Sequence, residues 1–449
     1  MKYIYSFSIA LFFLVVYSPC FSQSWSALGS GTNGARVNAI VVDSTGDLYA
    51  GGDFYKAGGL PAEGIAKWNG TDWSSLGTGV DGQVLVLKIF NGKLFVGGEF
   101  INAGGQQVNC IAIWDGSQWQ GFGQGMLKTG GHTFTTSVRD MAMYKGELYA
   151  AGVFDYADGK KASLIARWSG AAWEAVGIGI SGNYINTLTV YNDELYVGGS
   201  FTSAGGVPAK NIAKWNGTSW AAVGEGFNNY VNVLKENNGV LYAAGGFTAS
   251  GATATKYIAR LDGETWTPLA SGTNLDISSL AFWDGKLIAG GYFTTAGGVT
   301  ANRIAAFDGT AWTTLGTGMD DFIKTLHIDM ASHILYAGGG FLKAGGSPAN
   351  HIARFQLITG INETDSELHT FSSFPQPAAD AVTILIPDNL AFKARLIVIT
   401  DLTGKVILKA EVAEETIIPI ARGALPAGIY AYSIYSINGI LGNGSIIFE

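Results

Sequence analysis

The side chains best suited to binding chemistry lie in short variable stretches of an otherwise repetitive chain. They combine an imidazole with phenols and carboxylates, which exchange hydrogen bonds with a ligand or stack against it. The adjacent acids Asp320 and Asp321 could also bind a cation, but the spacing of a calcium loop is absent around them. The candidates for a ligand face are His132, Tyr184, Tyr230, Asp276, Asp320 and Asp321.

A second group of polar side chains recurs at one position of a repeated β-branched run. Six of the seven runs have a polar residue in second place, among apolar neighbours. Such residues predict the wall of a water-filled channel, which is either a ring of ligand contacts or simply a solvated surface. The predicted lining residues are Asn38, Arg139, Asn186, Asn232, Ser278 and Lys324.

Composition limits the functions that these residues can serve. The chain of 449 residues has a formal net charge of −8 and no cluster of Lys and Arg, which argues against general nucleic-acid binding. Residue spacing supports no Ser/His/Asp or Cys/His arrangement, and we expect no cofactor, although a structural cation stays open. Two carboxylates brought together by folding would suit glycoside hydrolysis, so a hydrolytic enzyme also stays open.

The elements that must position these residues form a repeat. The stretch 48–59, LYAGGDFYKAGG, has six further versions, each marked by a Phe that follows small residues. Successive marker residues are 46 to 54 positions apart, and a period in this range is typical of propeller blades. The markers are Phe54, Phe100, Phe154, Phe201, Phe247, Phe293 and Phe341.

Each repeat unit contains four strand signals, which together predict an all-β fold. A β-branched run is followed by an L-Y/F-A/V-G-G run, by a run of the IAKW type and by a run that opens with Trp. Asn-Gly, Asp-Gly or Ser-Gly usually joins the last two runs, as in a tight hairpin. The Gly pair in the second run indicates a bulge or a close approach of neighbouring units.

The two ends of the repeat complement each other. A lone fourth run at 25–31 precedes the first complete unit, and the last unit, at 323–355, lacks a fourth run. We therefore expect the N-terminal strand to pair as the outer strand of the last unit and to close a seven-bladed β-propeller over residues 23–355. An open solenoid is the rival arrangement, but it would need capping repeats.

The repeats resemble those of the kelch and galactose-oxidase-like β-propellers in their period, their Gly pair and their spaced Trp residues. The resemblance covers about residues 25–355 and implies a propeller without implying a particular chemistry. Copper oxidases of that group use a Cys–Tyr crosslink with Tyr and His ligands. Cys110 and five scattered His residues offer no comparable set, and we expect Cys110 to be a buried packing thiol.

The two ends of the chain indicate export. Residues 1–22 have the positive start, the short apolar core and the small closing residue of a secretory signal peptide. No other stretch is long and apolar enough to predict a membrane span once this segment is removed. A polar linker at 356–373 leads to residues 374–449, where six short β-branched runs predict a small Ig-like β-sandwich.

Three motifs follow one another in this tail: FPQP at 374–377, DLTGKV at 401–406 and LPAGIY at 425–430. In order and spacing they resemble the type A C-terminal sorting domain of the Bacteroidetes type IX secretion system. The resemblance implies handling by the type IX secretion machinery and a location outside the cell or on its outer surface. The residues that carry it are Phe374, Pro375, Pro377, Asp401, Gly404, Lys405, Leu425, Pro426, Gly428 and Tyr430.

The sequence thus favours a secreted or cell-surface propeller that acts as a non-catalytic binding or scaffold protein. Its expected partner, besides the secretion machinery, is an extracellular glycan or protein, because seven similar units present a ring of similar loops. The alternative is a secreted carbohydrate-active or other hydrolytic enzyme with its site at the channel mouth. Two carboxylates converging at the mouth would distinguish that enzyme.

Overall fold

A computed structural model describes the chain as two compact units, Met1–Gln356 and Leu357–Glu449. All regular elements among the described residues are β-strands, so the predicted all-β class is confirmed. The described residues are 25–128, 134–283, 285–356, 369–386, 394–401, 406–412, 417–423, 425–436 and 439–449. The predicted signal peptide, at 1–22, lies outside them.

The first unit contains seven sheets, each with an antiparallel path of four strands, and we number the sheets in the order of their first strands. The first strands border a central cavity. They are Arg36–Val42, Gln83–Phe90, Ser137–Tyr144, Ile180–Tyr191, Val231–Asn237, Ile277–Trp283 and Ile323–Asp329. The second strands contain the Gly pair or its Ala-Gly variant. They are Leu48–Asp53, Lys93–Glu99, Glu147–Val153, Glu194–Ala204, Val240–Gly245, Lys286–Gly291 and Ile334–Gly339.

The outer half of each sheet comes from the IAKW-type and Trp-led runs. The third strands are Ile65–Trp68, Ile111–Trp114, Ile165–Trp168, Ile212–Trp215, Ile258–Asp262, Ile304–Phe307 and Ile352–Gln356. The fourth strands of sheets 1 to 6 are Trp73–Ser75, Trp119–Gly121, Trp173–Ala175, Trp220–Ala222, Thr265–Pro268 and Trp312–Thr314. Sheet 7 takes its fourth strand, Trp25–Ala27, from the other end of the unit.

Short hairpins follow the second strands and lie beside the fourth strands. In sheet 4 the second strand itself continues into the hairpin and pairs with Val207–Pro208. In sheet 3 the hairpin pairs with an additional strand, Met126–Leu127. The remaining hairpin strands pair as Lys56–Ala57 with Leu60–Pro61, Asn102–Ala103 with Gln106–Gln107, Tyr156–Ala157 with Lys160–Lys161, Ala249–Ser250 with Thr253–Ala254, Thr295–Ala296 with Val299–Thr300, and Lys343–Ala344 with Ser347–Pro348.

The N-terminal strand pairs with the last sheet, as the sequence predicted. Trp25 lies opposite Phe355 and Ala27 lies opposite Ala353. The strand ends at Ala27 rather than at the predicted Gly31, because Gly31 adopts a φ of 70° that a continuing strand does not allow. The Leu-Gly-x-Gly segment is therefore a turn that follows the strand.

The leading Trp of each fourth strand connects neighbouring sheets. Its indole N–H donates to a backbone carbonyl just after the fourth strand of the preceding sheet, and Trp25 donates to Leu315 at 3.2 Å in the same way. A buried indole N–H needs such an acceptor. The other six pairs are Trp73 with Leu28, Trp119 with Leu76, Trp173 with Phe122, Trp220 with Val176, Trp266 with Val223 and Trp312 with Leu269.

The Gly pair serves both purposes that the sequence indicated. A Cβ on Gly51 would lie 2.4 Å from Cγ1 of Val84 in the next sheet, so the first Gly permits close approach of sheets. A Cβ on Gly52 would lie 2.2 Å from the carbonyl oxygen of Arg36, within the same sheet. The second Gly therefore accommodates a β-bulge of the first strand.

The second unit has two sheets that share one core. The five-stranded sheet contains Ala394–Thr400, Val406–Glu411, Gly428–Ser436, Gly439–Phe448 and the short strand His369–Thr370. The three-stranded sheet is Ser372–Phe374, Ala381–Leu385 and Ile417–Ala421. The core joins both sheets through residues such as Ile384, Ile418, Ile397, Tyr432 and Ile446.

Candidate functional site

The polar residues at second place in the first runs lie at β-bulges. In sheet 1 the pairing register jumps between Val37 and Ala39, so Asn38 has no partner in the second strand. The same jump occurs at the corresponding residue of the other six sheets. A bulge redirects a side chain away from the regular alternation of a strand. It thereby explains why a polar residue is tolerated here among apolar neighbours.

These bulged residues surround a cavity of about 790 Å³ at the centre of the first unit. We call this cavity the channel, its end at the start of the first strands the channel mouth, and the six polar bulge residues the girdle. Leu85 of sheet 2 completes the ring at this level. The girdle residues are Asn38, Arg139, Asn186, Asn232, Ser278 and Lys324.

Part of the girdle is connected by hydrogen bonds between sheets. Arg139 donates to the side-chain oxygen of Asn186 at 3.0 Å. Asn186 donates to the side-chain oxygen of Asn232 at 3.2 Å, and Asn232 donates to the carbonyl of Ile277 at 3.0 Å. Asn38 makes a separate bond to the carbonyl of Val84 at 2.9 Å. These contacts fix the orientation of four girdle side chains.

Two girdle residues stand apart from this network. The buried hydroxyl of Ser278 has no hydrogen-bond partner among the described residues. Burial in the channel lowers the pKa of Lys324 to about 8, with repulsion from Arg139 and Arg36 as further causes. The channel wall at sheets 6 and 7 therefore has unused donors.

The channel mouth carries an arc of aromatic and acidic side chains. Tyr230, one residue before the first run of sheet 5, donates its hydroxyl to the carboxylate of Asp276 in sheet 6. Burial raises the pKa of the Tyr230 phenol, and this hydrogen bond raises it further. A Cβ on Gly246 would lie 2.4 Å from the Tyr230 ring, so glycine leaves the space that the ring occupies.

Further rings extend this arc on both sides. Tyr184 in sheet 4 has the Arg139 guanidinium 4.6 Å from its ring centre and Phe134 edge-on at 5.3 Å. Tyr292 and Phe322, from sheets 6 and 7, stack with centroids 4.8 Å apart, and Tyr292 is 40% exposed. The arc thus presents partly exposed ring faces together with polar groups, which is the composition of many ligand-binding surfaces.

The opposite end of the channel is more fully paired. Lys88 forms a 3.0 Å ion pair with Asp140, whose other oxygen accepts the backbone N–H of Leu188 at 2.7 Å. His327 accepts the backbone N–H of Val42 at 3.3 Å, so its Nε2 is unprotonated there. Burial, with repulsion from Lys235, lowers the pKa of His327 to about 4.

The structure separates the sequence-predicted face residues into two groups. Tyr230 and Asp276 are joined by a hydrogen bond at the channel mouth, and Tyr184 lies in the same arc against Arg139 and Phe134. Asp320 instead accepts the backbone N–H groups of Leu342 at 3.0 Å and Lys343 at 2.8 Å, and so orients the hairpin of sheet 7.

Similar bonds to the adjacent hairpins place Asp320 in a recurring scaffold position, occupied elsewhere by Asn33, Asp81, Asn228 and Asn274. Asp321 is exposed and accepts the N–H of Phe322. His132 lies outside the described residues.

Sequence reasoning missed Arg36, Glu99 and Tyr292, which also line the channel. Arg36 occupies the same repeat position as Tyr184 and Tyr230, directly before the β-branched run. Glu99 and Tyr292 occupy the position directly after the Gly pair. Comparing these two positions across the seven units would have identified all three.

Metal and thiol chemistry find little support in the described part of the chain. It contains no group of three or more His, Cys, Asp or Glu side chains placed to hold a metal ion. Cys110 is buried and free, as expected for a packing residue. Burial raises its pKa to about 12, so it is not a ready nucleophile at neutral pH.

The sorting-motif residues of the tail divide into buried and exposed ones. Tyr430 is buried and donates its hydroxyl to the carbonyl of Pro426 at 2.9 Å, which ties the turn before Gly428 to the core. Leu425 packs on the same core.

Phe374 is 50% exposed at the end of its strand, and the following Pro375 and Pro377 are exposed. Asp401 directly follows the strand Ala394–Thr400, whereas Gly404 and Lys405 lie outside the described residues.

Family models match both units of the chain. Residues 20–190 match a model described as the Rax2 C-terminal beta propeller domain, and residues 284–307 match a beta-propeller described as a domain of unknown function. Residues 372–447 match the secretion system C-terminal sorting domain. The first unit is a β-propeller domain, and the tail indicates secretion and cell-surface attachment through type IX secretion.

The solved structures that align with the chain do so at low identity. The extracellular domain of a hybrid two component system from B. thetaiotaomicron aligns with a TM-score of 0.49 at 12% identity, over 95% of this chain and 59% of its own. The extracellular domain of a one component system from the same organism aligns with a TM-score of 0.48 at 12% identity, over 95% of this chain and 59% of its own. The computationally designed Ika8 protein gives 0.42 at 13% identity, over 74% of this chain and 99% of its own.

The chain thus spans 59% of the length of the two extracellular domains. No curated protein sequence matches it. Within the described residues, no helix has the length and apolar character needed to cross a membrane.

Proposed function

We propose that this protein is a non-catalytic binding protein of the cell surface, whose ligand is an extracellular glycan held at the channel mouth. The observation that carries this proposal is the aromatic arc of sheets 4 to 7. Exposed ring faces pack against the C–H faces of sugars, while carboxylates and amides bond to sugar hydroxyls. Tyr292 offers such a face, and Asp276 with Tyr230 offers adjacent polar groups.

We further propose that the propeller is a kelch-like ring of seven blades, closed by the N-terminal strand. The seven sheets support this count. Closure is supported by the pairing of Trp25–Ala27 with the last sheet and by the seven Trp bonds, which lead from each sheet to the one before it and return through Leu315. In a closed ring the loops before the first strands share one face, which places the arc around one opening.

The tail is proposed to be an Ig-like β-sandwich, which the two sheets around one core support. Residues 1–22 are proposed to act as the signal peptide that takes the chain out of the cytoplasm before type IX secretion. The propeller would then meet its ligand outside the cell, where glycans are abundant.

Binding is favoured over hydrolysis because the carboxylates near the mouth already have partners. Glu99 accepts a hydrogen bond from Gln83 at 2.7 Å, and Asp276 accepts one from Tyr230. A hydrolase needs one carboxyl group to deliver a proton to the glycosidic oxygen and a second to act on the opposite side of the sugar. Glu99 is held by a residue of its own sheet and Asp276 by a residue of the neighbouring sheet, which suits orientation of a ligand better than proton transfer.

A glycan-array comparison tests this proposal. The purified protein would be compared with the double variant Tyr184→Ala/Tyr230→Ala and with Tyr55→Ala, which removes a phenol that is 56% exposed but lies just after the second strand of sheet 1, outside the arc of sheets 4 to 7. We expect the double variant to lose its strongest glycan signals by about tenfold or more, as for loss of two contact residues, and Tyr55→Ala to keep them.

An unchanged binding profile in the double variant would refute a glycan site at the mouth. If the protein bound a protein ligand and gave no signal on the glycan array, the proposed ligand would have to be a protein and not a glycan. Release of shortened sugars on incubation with the bound glycan would instead establish the hydrolytic alternative.

A further inference from the structure

The hydrogen-bond network of the girdle stops before it encircles the channel. It runs from sheet 3 to the backbone of sheet 6, ending at the carbonyl of Ile277. Ser278 and Lys324 continue the same ring of bulge positions in sheets 6 and 7. Neither takes part in the network, so the ring has a gap on this side.

Both side chains in this gap are donors without a protein acceptor. Ser278 is 9% exposed, and its hydroxyl has no partner among the described residues. Lys324 has neither a hydrogen bond nor an ion pair within the described part of the chain, and no carboxylate is among the groups that act on its ammonium. A desolvated polar group normally has a partner, which makes this pair unusual.

Additional positive charge faces the gap. Arg36 and Arg139 lie close enough to Lys324 that their repulsion lowers its pKa. Within the described residues, the Arg36 guanidinium has one hydrogen bond, to the Gln83 side chain at 3.5 Å, and Arg139 bonds to the uncharged Asn186 and Ser137. Both guanidinium groups therefore keep N–H donors that no carboxylate uses.

The channel as a whole is positive in an acidic protein. Five basic and two acidic side chains line it, whereas the chain has a net charge of −8. One of the two acids, Asp140, is paired with Lys88 at the far end. Glu99 is the other acid; it accepts a bond from Gln83 and attracts the Arg139 guanidinium. Three of the five basic side chains, Arg36, Arg139 and Lys324, face one another near the gap, whereas Lys88 and Lys235 lie toward the far end.

We propose that Ser278, Lys324, Arg36 and Arg139 bind the anionic group of an acidic saccharide, a carboxylate or a sulfate ester, inside the channel. Such a group accepts charge-assisted hydrogen bonds from ammonium and guanidinium donors and a further one from the serine hydroxyl. The sugar ring that carries the group would lie against the aromatic arc. This inference rests on the proposed function, because the anion is taken to be part of the glycan bound at the mouth.

The test compares three sugars that share one ring and differ in one substituent. Glucuronate carries a carboxylate, glucose 6-sulfate a sulfate ester, and glucose an uncharged hydroxymethyl group. Binding of each would be measured by titration calorimetry with the full chain, its Lys324→Met variant and Lys235→Met. The last variant removes a lysine of the same channel on the far side, next to Lys88 and His327.

We expect at least one anionic sugar to bind the native protein and Lys235→Met about equally, and Lys324→Met about tenfold or more weakly, since a charge-assisted bond is lost. Glucose should bind more weakly than the anionic sugar in every case. The ratio of glucuronate to glucose 6-sulfate identifies which anion the site prefers. Equal affinity of the native protein and Lys324→Met, or equal affinity for glucose and both anionic sugars, would overturn the inference.

Ser278→Ala guards against a folding defect in the lysine variant. This variant removes only one oxygen from the gap. It should lower the affinity for the anionic sugar about threefold or more, without lowering the melting temperature. Unchanged affinity in Ser278→Ala would count against the inference if Lys324→Met fails to fold.

The two proposals fail in different ways. Tight binding of neutral glycans that depends on Tyr184 and Tyr230 but not on Lys324 would leave the proposed function intact and remove only the anion. If Lys324→Met lost binding of the anionic sugar and the tyrosine variants had no effect, the site would lie inside the channel, and the proposed glycan site at the channel mouth would be refuted.

Discussion

The outer edge of the propeller and its channel wall differ in how uniform their repeated positions are and in whether the side chains there have hydrogen-bond partners. At the outer edge, all seven positions are Trp and every indole N–H reaches a carbonyl of the neighbouring sheet. At the channel wall, the seven bulge positions carry Asn, Leu, Arg, Ser or Lys, and two of the polar ones have no partner among the residues that the structure describes. Uniform and satisfied positions stabilise the fold, whereas varied and unsatisfied positions are available to a ligand.

The largest expected effect is at the outer edge. Trp25→Ala should destabilise the propeller by about 3–5 kcal/mol, because the ring packs 5.0 Å from Phe355 and is almost fully buried. Trp25→Phe keeps most of this packing and loses the bond to Leu315, so about 1 kcal/mol is expected. Chemical denaturation measures both. An unchanged midpoint for Trp25→Ala would refute closure by the N-terminal strand.

A smaller loss is expected at the paired end of the channel. Asp140→Ala should cost about 2–3 kcal/mol, because it leaves the Lys88 ammonium and the Leu188 amide without their acceptor. Asp140→Asn keeps one side-chain oxygen for that amide and should cost less. Denaturation curves of the two variants compare them directly, and equal losses would show that the charge alone matters.

Acid should weaken the same end through His327. Its pKa of about 4 in the folded chain lies below the usual value of 6.5, so the unfolded chain binds the extra proton first. Lys235 opposes protonation of this imidazole and Asp329 favours it. Stability should therefore fall as the pH drops from about 6.5 to 4, by about 1–2 kcal/mol at pH 5.

Melting temperatures at pH 7 and pH 5 test this expectation. His327→Gln should show a smaller drop than the native protein, and His333→Gln, which alters an exposed histidine, should show the full drop. The same drop in His327→Gln as in the native protein would contradict the assignment.

The smallest expected change in stability is a gain and not a loss, and it concerns Lys324 on the unpaired side of the girdle. The pKa of Lys324, about 8, lies below its usual 10.5 because Arg36 and Arg139 face it and burial removes water. The charged lysine thus opposes folding below pH 8, and this cost disappears as the pH rises from 8 to 10.5.

Lys324→Met should therefore stabilise the ligand-free protein at pH 7 by about 1 kcal/mol, a modest figure because Lys324 keeps partial access to solvent, which screens its charge. Its stability should also rise less between pH 8 and pH 10 than that of the native protein. Thermal melts across this range decide the point, and a destabilised variant would show that Lys324 is paired in solution.

Much of the architecture follows from the sequence because strand patterns are local. The IAKW-type runs predicted the third strands to within one residue, and the orphan run at Trp25 predicted its pairing with the last sheet. The N-terminal strand was predicted too long, since its Leu-Gly-x-Gly end forms a turn through positive φ values. The sorting domain likewise was predicted from short contiguous motifs, and the family match at residues 372–447 confirms the domain.

The candidate site depends on contacts that no local pattern contains. Asp276 and Asp320 are both acids in short loops, yet one accepts a tyrosine hydroxyl from the neighbouring sheet and the other accepts two amides of a hairpin. Arg139 and Lys324 share a repeat position, and the next sheet offers each an Asn there, Asn186 and Asn38, yet only Arg139 bonds to it among the described residues.

The repeat, the strands and the C-terminal sorting domain could be predicted from the sequence, because periodicity and short motifs depend on near neighbours in the chain. Which polar side chains are satisfied depends on the tertiary structure, because the partners of Asn186 and Tyr230 are Asn232 and Asp276, each 46 residues further along the chain in the neighbouring sheet. The β-bulges turn the polar residues into one channel, and the side-chain bonds between neighbouring sheets then separate scaffold contacts from free donors.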